Sequence, residues 1–351
     1  MIPLSRLAAG ATLFAVAASV TACGTTTVEP AAESSSAPVS QTCANDTTST
    51  ATGPVSITDG VGRKVELAKP ASRVAVLEWQ QTEDVMTLCL NPVAVADPEG
   101  YATYVKAETL PADVVDAGDR GEPDLDALYG TNPDLIIVEA FKADDEILTK
   151  LEKRGVPVLA TVGANASGQI ANMKNVFSMI AAATGRTERA DQVLQQFDEH
   201  LAAAKAKVAA ANVTTGPFLF FDGWIEGGNV VIRPYGKGAL FTELGEQLGL
   251  TAAWTDEINK TYGSGGVDPS YGLAQTDIEG LTAVGDATLF YSDDETAESY
   301  VKELVKSPIW AKLPAVTEGR AYAFPAGVWG AGGPKSNEDA IDAYVNILTT
   351  K

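Results

Sequence analysis

Short apolar runs alternate along this chain with stretches of helical periodicity. Residues 73–78, Arg-Val-Ala-Val-Leu-Glu, form a compact apolar run that predicts a buried strand. A helix follows from Thr82, with Val85, Met86 and Leu88 on its inner face. Residues 93–96 predict a second strand, and Leu135-Ile-Ile-Val138, introduced by Pro133-Asp134, the clearest one. Residues 144–154 read as a helix with Ile147, Leu148 and Leu151 inward, closed by Gly155, and residues 156–160 as the next strand. Such alternation predicts a mostly parallel sheet with helices on its faces.

No proline occurs between Pro157 and Pro217. Ile170, Met173, Phe177 and Ile180 recur at helical spacing, Gly185 interrupts, and Ala190, Val193, Leu194, Phe197, Leu201 and Val208 make a second amphipathic face. Helices of about 15 and 25 residues would span about 60 Å together, enough to cross between two lobes. Alternation then resumes, with strands at 218–221 and 230–232, a helix at 238–248, a strand at 287–291, a helix at 295–307, a strand at 321–324 and a closing helix at 337–348. The predicted fold class is α/β: two Rossmann-like lobes, each a mostly parallel sheet with flanking helices, joined by a long helix. The first lobe takes residues 54–164, the helical bridge 165–212 and the second lobe 213–351.

The amino terminus changes the picture. Residues 1–22 read as an export signal, with Arg6 as the positive region and Leu7 to Thr21 apolar or small throughout. The tetrapeptide Val20-Thr21-Ala22-Cys23 resembles the bacterial lipobox, which implies lipidation of Cys23. Residues 23–53 are rich in Thr, Ser, Ala, Glu and Pro, a composition that predicts a flexible tether. Cleavage removes one of 25 basic residues and none of 46 acidic ones, so the formal charge of −21 becomes about −22. A chain this acidic repels nucleic acid and anionic lipid. No later stretch approaches a transmembrane helix in apolar length. Cys43 and Cys89 remain beside Cys23; outside the cell they are candidates for a disulfide, the alternative being two free thiols with Cys89 buried.

Several motifs stand in a fixed order. Ile57-Thr-Asp59 and Gly62-Arg63 precede the 73–79 run. Thr82-Glu83 and Pro92 follow, and Gly121-Glu-Pro-Asp-Leu-Asp126 leads into Pro133-Asp-Leu-Ile136. Pro308-Ile-Trp310, Gly319-Arg320, Trp329 and Gly332-Gly-Pro-Lys-Ser336 come late. In order and spacing the chain resembles, from about Val55 onward, the helix-linked substrate-binding proteins of ABC importers for iron-siderophore complexes and vitamin B12. Within them it is most similar to the binders of iron(III)-dicitrate and citrate-hydroxamate siderophores. The resemblance implies an extracytoplasmic, lipid-anchored monomer at the cell membrane that captures a ferric siderophore. It implies delivery to an ABC permease with its ATPase, and small lobe motions. It also places permease-docking acids at Asp126 and Glu279, the first shorter than the family's usual glutamate. Cys89 stands where the family has glycine.

A chelated ferric ion has its coordination shell filled, so a cleft for it needs cations for chelator oxygens and rings for the chelator backbone, not metal ligands. Ligands of open α/β sheets gather beyond the carboxyl ends of strands. That rule selects Trp79, Tyr101, Tyr104, Arg120 and Phe141 in the first lobe and Trp224, Arg233, Tyr235, Tyr271 and Trp329 in the second. Arg120 has Asp119 and Glu122 as structural partners, Tyr101, Tyr104 and Phe141 could equally pack under a loop, and Lys335 could only cap the last helix. No direct metal site, resident cofactor or catalytic residue is expected. The lone His200 lies among lysines and alanines of the long helix, which argues against zinc or manganese capture. Haem or a corrinoid is the alternative ligand, and a cell-envelope enzyme or adhesion lipoprotein the alternative class. Gly-x-Ser-x-Gly and phosphate-loop signatures do not occur, and Gly236-Lys-Gly238 has Phe241 where a dinucleotide fingerprint needs its third glycine.

Overall fold

The computed structural model describes residues 40–211, 213 and 215–350. The signal, Cys23 and the first part of the predicted tether lie outside the described residues. The strands are β1 (Val55–Thr58), β2 (Lys64–Leu67), β3 (Val74–Val76), β4 (Ala94–Val95), β5 (Val115–Asp116), β6 (Leu135–Glu139) and β7 (Val158–Thr161), then β8 (Pro217–Glu226), β9 (Asn229–Pro234), β10 (Thr251–Ala252), β11 (Thr276–Asp277), β12 (Thr288–Tyr291) and β13 (Ala321–Ala323). The helices are α1 (Trp79–Thr87), α2 (Pro98–Tyr104), α3 (Leu125–Gly130), α4 (Glu146–Glu152), α5 (Gln169–Thr184) and α6 (Thr187–Ala210), then α7 (Leu240–Gln247), α8 (Asp256–Tyr262), α9 (Val301–Leu304), α10 (Pro314–Thr317) and α11 (Pro334–Thr349).

The first lobe is built on a five-stranded sheet of order β5-β4-β3-β6-β7, parallel throughout. Strands β3, β4, β6 and β7 are buried on both faces, which is why residues 74–76 and 135–138 read as unbroken apolar runs. The β1–β2 hairpin adds Val65 and Leu67 to the core beneath this sheet.

The second lobe keeps three parallel pairings and adds two antiparallel ones through β9. Its order is β11-β9-β8-β12-β13, with β10 also on β8. β8 runs parallel to β10 and β12, but β9 is antiparallel to both β8 and β11. The reason is local: Gly227 and Gly228 take φ of 57° and 83°, the left-handed pair that a tight hairpin turn requires. Two short predicted strands thus become one long hairpin, and its arms project toward the other lobe.

α5 and α6 join the lobes, separated by Gly185 at φ 72°. Val176, Phe177, Ile180, Ala190 and Val193 lie in the first lobe's core, while Met173, Phe197, Ala204 and Val208 lie in the second's. One amphipathic face of α6 therefore serves two cores in succession, as a bridging helix must.

Three further differences have physical causes. α1 begins at Trp79, not Thr82, because the Glu78 carboxylate accepts the Trp79 N–H and caps the helix. The predicted helix at 295–307 shrinks to the single turn α9. There Asp293 accepts from the Glu295 N–H and the Ser299 hydroxyl, Asp294 accepts from Thr296, and Glu295 sits at φ 57°. These side-chain bonds compete with helix. Residues 40–53, read as tether from composition, are laid on the first lobe. Cys43 and Cys89 are disulfide-bonded, Arg186 pairs with Asp46 and donates to the Thr48 carbonyl, and Ser49 donates to Glu188.

Candidate functional site

The cleft lies where the carboxyl ends of β3, β6 and β7 face the β8–β9 hairpin and the segments after β12 and β13. Two adjoining chambers of about 220 and 310 Å³ share Arg120, Arg233, Tyr235, Trp329 and Gly330. Their scale suits a small-molecule ligand.

On the first lobe, Glu78 ends the β3 segment, Trp79 opens α1 and Arg120 arrives from the loop after β5. Arg120 Nη1 donates to Glu78 Oε1 at 2.6 Å, and its guanidinium stacks 3.9 Å from the centre of the Trp79 ring. Trp79 Nε1 donates to the Asp97 carbonyl at 3.2 Å, which fixes the ring edge. Glu139, at the end of β6, accepts the Tyr271 hydroxyl of the second lobe at 2.6 Å. Burial pushes the Glu139 carboxyl from its ordinary 4.5 up to about 7, despite that hydrogen bond. Gly163 leaves room for it, since a Cβ there would lie 2.7 Å from the carboxyl group.

On the second lobe, Asp222 of β8 and Arg233 of β9 are cross-strand partners. Arg233 Nε and Nη2 donate to the two Asp222 oxygens at 2.7 and 2.5 Å, a bidentate pair. Tyr235 adds its hydroxyl to Asp222 Oδ2 at 3.1 Å. Burial works against the Arg233 charge, but Asp222 outweighs it and holds the guanidinium's pKa above its ordinary value. Arg233 lies 5.8 Å over the Trp224 ring. Gly330 passes so close to Tyr235 that a Cβ would meet the hydroxyl at 2.3 Å.

Aromatic rings close the junction. Trp329 meets Trp79 edge-on at 5.0 Å, and Tyr104 stacks on Trp79 at 5.7 Å. The Tyr104 hydroxyl reaches Asp294 of the second lobe at 3.5 Å.

Trp79, Tyr104, Arg120, Trp224, Arg233, Tyr235, Tyr271 and Trp329 thus all line the two chambers. Tyr101 does not. It is 1% exposed, packs with Met86 and Val105 beneath Trp79, and donates its hydroxyl to the Glu108 carbonyl, which is the packing role. Phe141 is 47% exposed beside the cleft and touches Tyr271 edge-on rather than lining a chamber. Lys335 pairs with Glu338 in the first turn of α11, and His200 bonds Asp342 on the far side of the bridge. Asp126 is exposed in the first turn of α3 and Glu279 in the first turn of a 3-10 helix, Ile278–Val284, each behind an aspartate cap; Asp126 pairs with Arg154 at 2.7 Å. Among the described residues no three His, Cys, Asp or Glu side chains converge as a metal site.

The cleft also contains carboxylates outside the sequence-selected set: Glu78, Glu139, Asp222, Asp293 and Asp294. Glu78 and Glu139 stand at carboxyl ends of strands, where the rule that selects Trp79 would also have found them. Asp222 carries a weaker sign, a lone acid within the apolar run of β8.

Comparison with known proteins agrees with this architecture. The periplasmic binding protein family profile matches residues 74–327. The iron(3+)-hydroxamate-binding protein FhuD of Escherichia coli (strain K12) is 24% identical over 281 residues, 80% of this chain and 88% of that one. The Fe(3+)-citrate-binding protein YfmC of Bacillus subtilis (strain 168) is 24% identical over 267 residues, 76% of this chain and 77% of that one. Among solved structures, the siderophore binding protein FhuD from Vibrio cholerae, bound to Fe3+-Desferal, superposes with TM-score 0.66 at 24% identity, covering 80% of this chain and 98% of that one. The triscatecholate siderophore binding protein FeuA of Bacillus subtilis, complexed with ferri-bacillibactin, gives 0.64 at 22% identity, covering 84% and 98%. The fold, the bridging helices and the extent of the match together place this chain in the periplasmic binding protein family, in its two-lobed, helix-linked form.

Proposed function

We propose that this chain is an extracytoplasmic binding lipoprotein that captures a ferric siderophore and delivers it to an ABC importer. The observation that carries the reading is the cleft itself. Three tryptophans, four tyrosines and two arginines from both lobes line adjoining chambers at the strand ends, in a family whose named relatives bind ferric hydroxamate and ferric citrate. The chemistry is binding without reaction. The rings cover the apolar chelator backbone, arginine N–H groups meet chelator oxygens, and iron keeps the ligands it arrives with. The Glu139–Tyr271 and Tyr104–Asp294 contacts cross between lobes, so ligand seated there biases how closely they approach.

The protein is held at the membrane by lipid on Cys23 and acts as a monomer, docking on its permease through Asp126 and Glu279. Mass spectrometry of small molecules co-purified from an iron-starved source tests the ligand assignment: a ferric chelate in about molar equivalence supports it, and a haem or corrinoid overturns it. Replacing Asp126 and Glu279 together by alanine is expected to leave ligand affinity intact and abolish uptake; normal uptake contradicts the docking assignment. Cys23→Ala is expected to release the protein from the membrane fraction.

A further inference from the structure

The two arginines that line the cleft are not waiting for an anion. Arg233 is held bidentately by Asp222, and Arg120 is held by Glu78. Each guanidinium is thus neutralised within its own lobe before any ligand arrives. The remaining charged groups are all acidic. Glu139 lines the inner chamber, and Asp293 and Asp294 line the outer one. Asp293 and Asp294 bond backbone N–H groups and hydroxyls and form no ion pair with a described residue. Two arginines against five carboxylates give the cleft wall a formal charge of −3 with Glu139 ionised and −2 with the proton that its burial favours. The whole chain, at −21, carries the same sign.

From this charge arrangement we infer that the cleft selects ferric chelates without net negative charge, neutral or cationic, and discriminates against anionic ones. The inference rests on the siderophore reading above and narrows it. An anionic chelate finds both guanidiniums already neutralised and faces the remaining carboxylates, and displacing Asp222 or Glu78 from its arginine would leave a carboxylate without its partner in a half-buried wall. A chelate whose ionised groups cancel the ferric charge makes no such demand. Three monoanionic hydroxamates cancel it; three dianionic catecholates leave a trianion. Hydroxamate oxygens can take the arginine N–H groups that Asp222 and Glu78 do not use. A pendant ammonium gains from Asp293 and Asp294, whose attraction is strongest at low salt.

Within the desferrioxamine series the test holds the iron cage constant and changes the charge of the pendant group. Ferric desferrioxamine, a linear trihydroxamate with a pendant ammonium, is compared with its N-acetyl and N-succinyl derivatives and with a ferric tricatecholate. Affinity is expected to fall from ammonium to acetyl to succinyl, by roughly tenfold in all at low ionic strength, with the gap narrowing in salt. The tricatecholate is expected to bind weakest. Asp293→Asn with Asp294→Asn is expected to shrink the ammonium–succinyl gap. Equal affinity for the succinyl and ammonium forms, tighter binding of the tricatecholate, or an unchanged gap in the double variant would overturn the charge selection while leaving siderophore capture standing. Failure of every ferric chelate to bind would overturn both.

Discussion

Two acidic regions lie at the lobe junction and solve the same problem differently. In the half-open cleft, Asp222 and Glu78 each face an arginine. Behind it, on the inner side of α1, Glu83 and Asp84 are fully buried, and neither forms an ion pair with a described residue. Glu83 instead accepts the Lys335 and Ser336 N–H groups at 3.0 and 2.9 Å and the Ser336 hydroxyl at 2.5 Å. It thereby caps α11 of the second lobe from α1 of the first, where the exposed N–H groups and the helix dipole favour an acceptor. Burial still raises its pKa, from 4.5 to about 7. Asp84 has neither oxygen bonded to a described residue, and burial beside Glu83 raises it well above the ordinary carboxyl range. In the cleft guanidinium stabilises the carboxylates; on the inner side of α1 a helix end and a retained proton do that work. The first arrangement suits ligand exchange, and the second clamps the lobes.

The largest effect should come from unfastening the segment that shields the buried side. Ser40 and Thr42 donate to Glu108 next to the Cys43–Cys89 bond, which closes a separation of 46 residues. Reduction, or Cys43→Ser with Cys89→Ser, should lower stability by about 4 kcal/mol in urea unfolding. A smaller loss, about 3 kcal/mol, is expected for Glu83→Ala, which leaves the first turn of α11 without its acceptor.

Glu83→Gln keeps an acceptor but removes a titration, and so separates bonding from charge. A carboxyl whose folded pKa exceeds its unfolded value contributes stability that is complete below the unfolded value and is lost as pH rises through the folded one. For Glu83 and Glu139 that window runs from 4.5 to about 7. Unfolding free energy should therefore decline across this range and level off above it, and Glu83→Gln should flatten the decline in urea titrations at stepped pH. In the cleft the effect should be smallest on the fold and largest on ligand. Arg233→Ala is expected to weaken ferric trihydroxamate binding at least tenfold, about 1.4 kcal/mol, by equilibrium titration. Unchanged affinity in the folded variant removes Arg233 from the site.

The sequence makes legible what local rules control. Continuous apolar runs at 135–138 and 156–160 mark strands buried on both faces, and the amphipathic face from Ala190 to Val208 marks the bridge. The strand-end rule finds the cleft's rings and arginines. It misplaces Tyr101, whose neighbour Tyr104, three positions on, faces the cleft instead; one helical turn decides between floor and wall, and only packing fixes the rotation of α2. Long-range pairing is not legible. Asp119 and Glu122 flank Arg120 in sequence, yet its partner is Glu78, 42 positions away. Nor does composition reveal that residues 40–53 are anchored, because the anchors are Arg186 and Glu188 on a distant helix.

The most direct test of the account is a tryptophan-emission titration of the intact protein with ferric desferrioxamine. Trp79, Trp224 and Trp329 line the cleft, whereas Trp254 and Trp310 lie in the second lobe's core. Saturable quenching at one equivalent is expected, reduced when Trp329 is replaced by phenylalanine. Emission that stays unchanged with every ferric chelate, or quenching that never saturates, would contradict a ligand seated between the lobes.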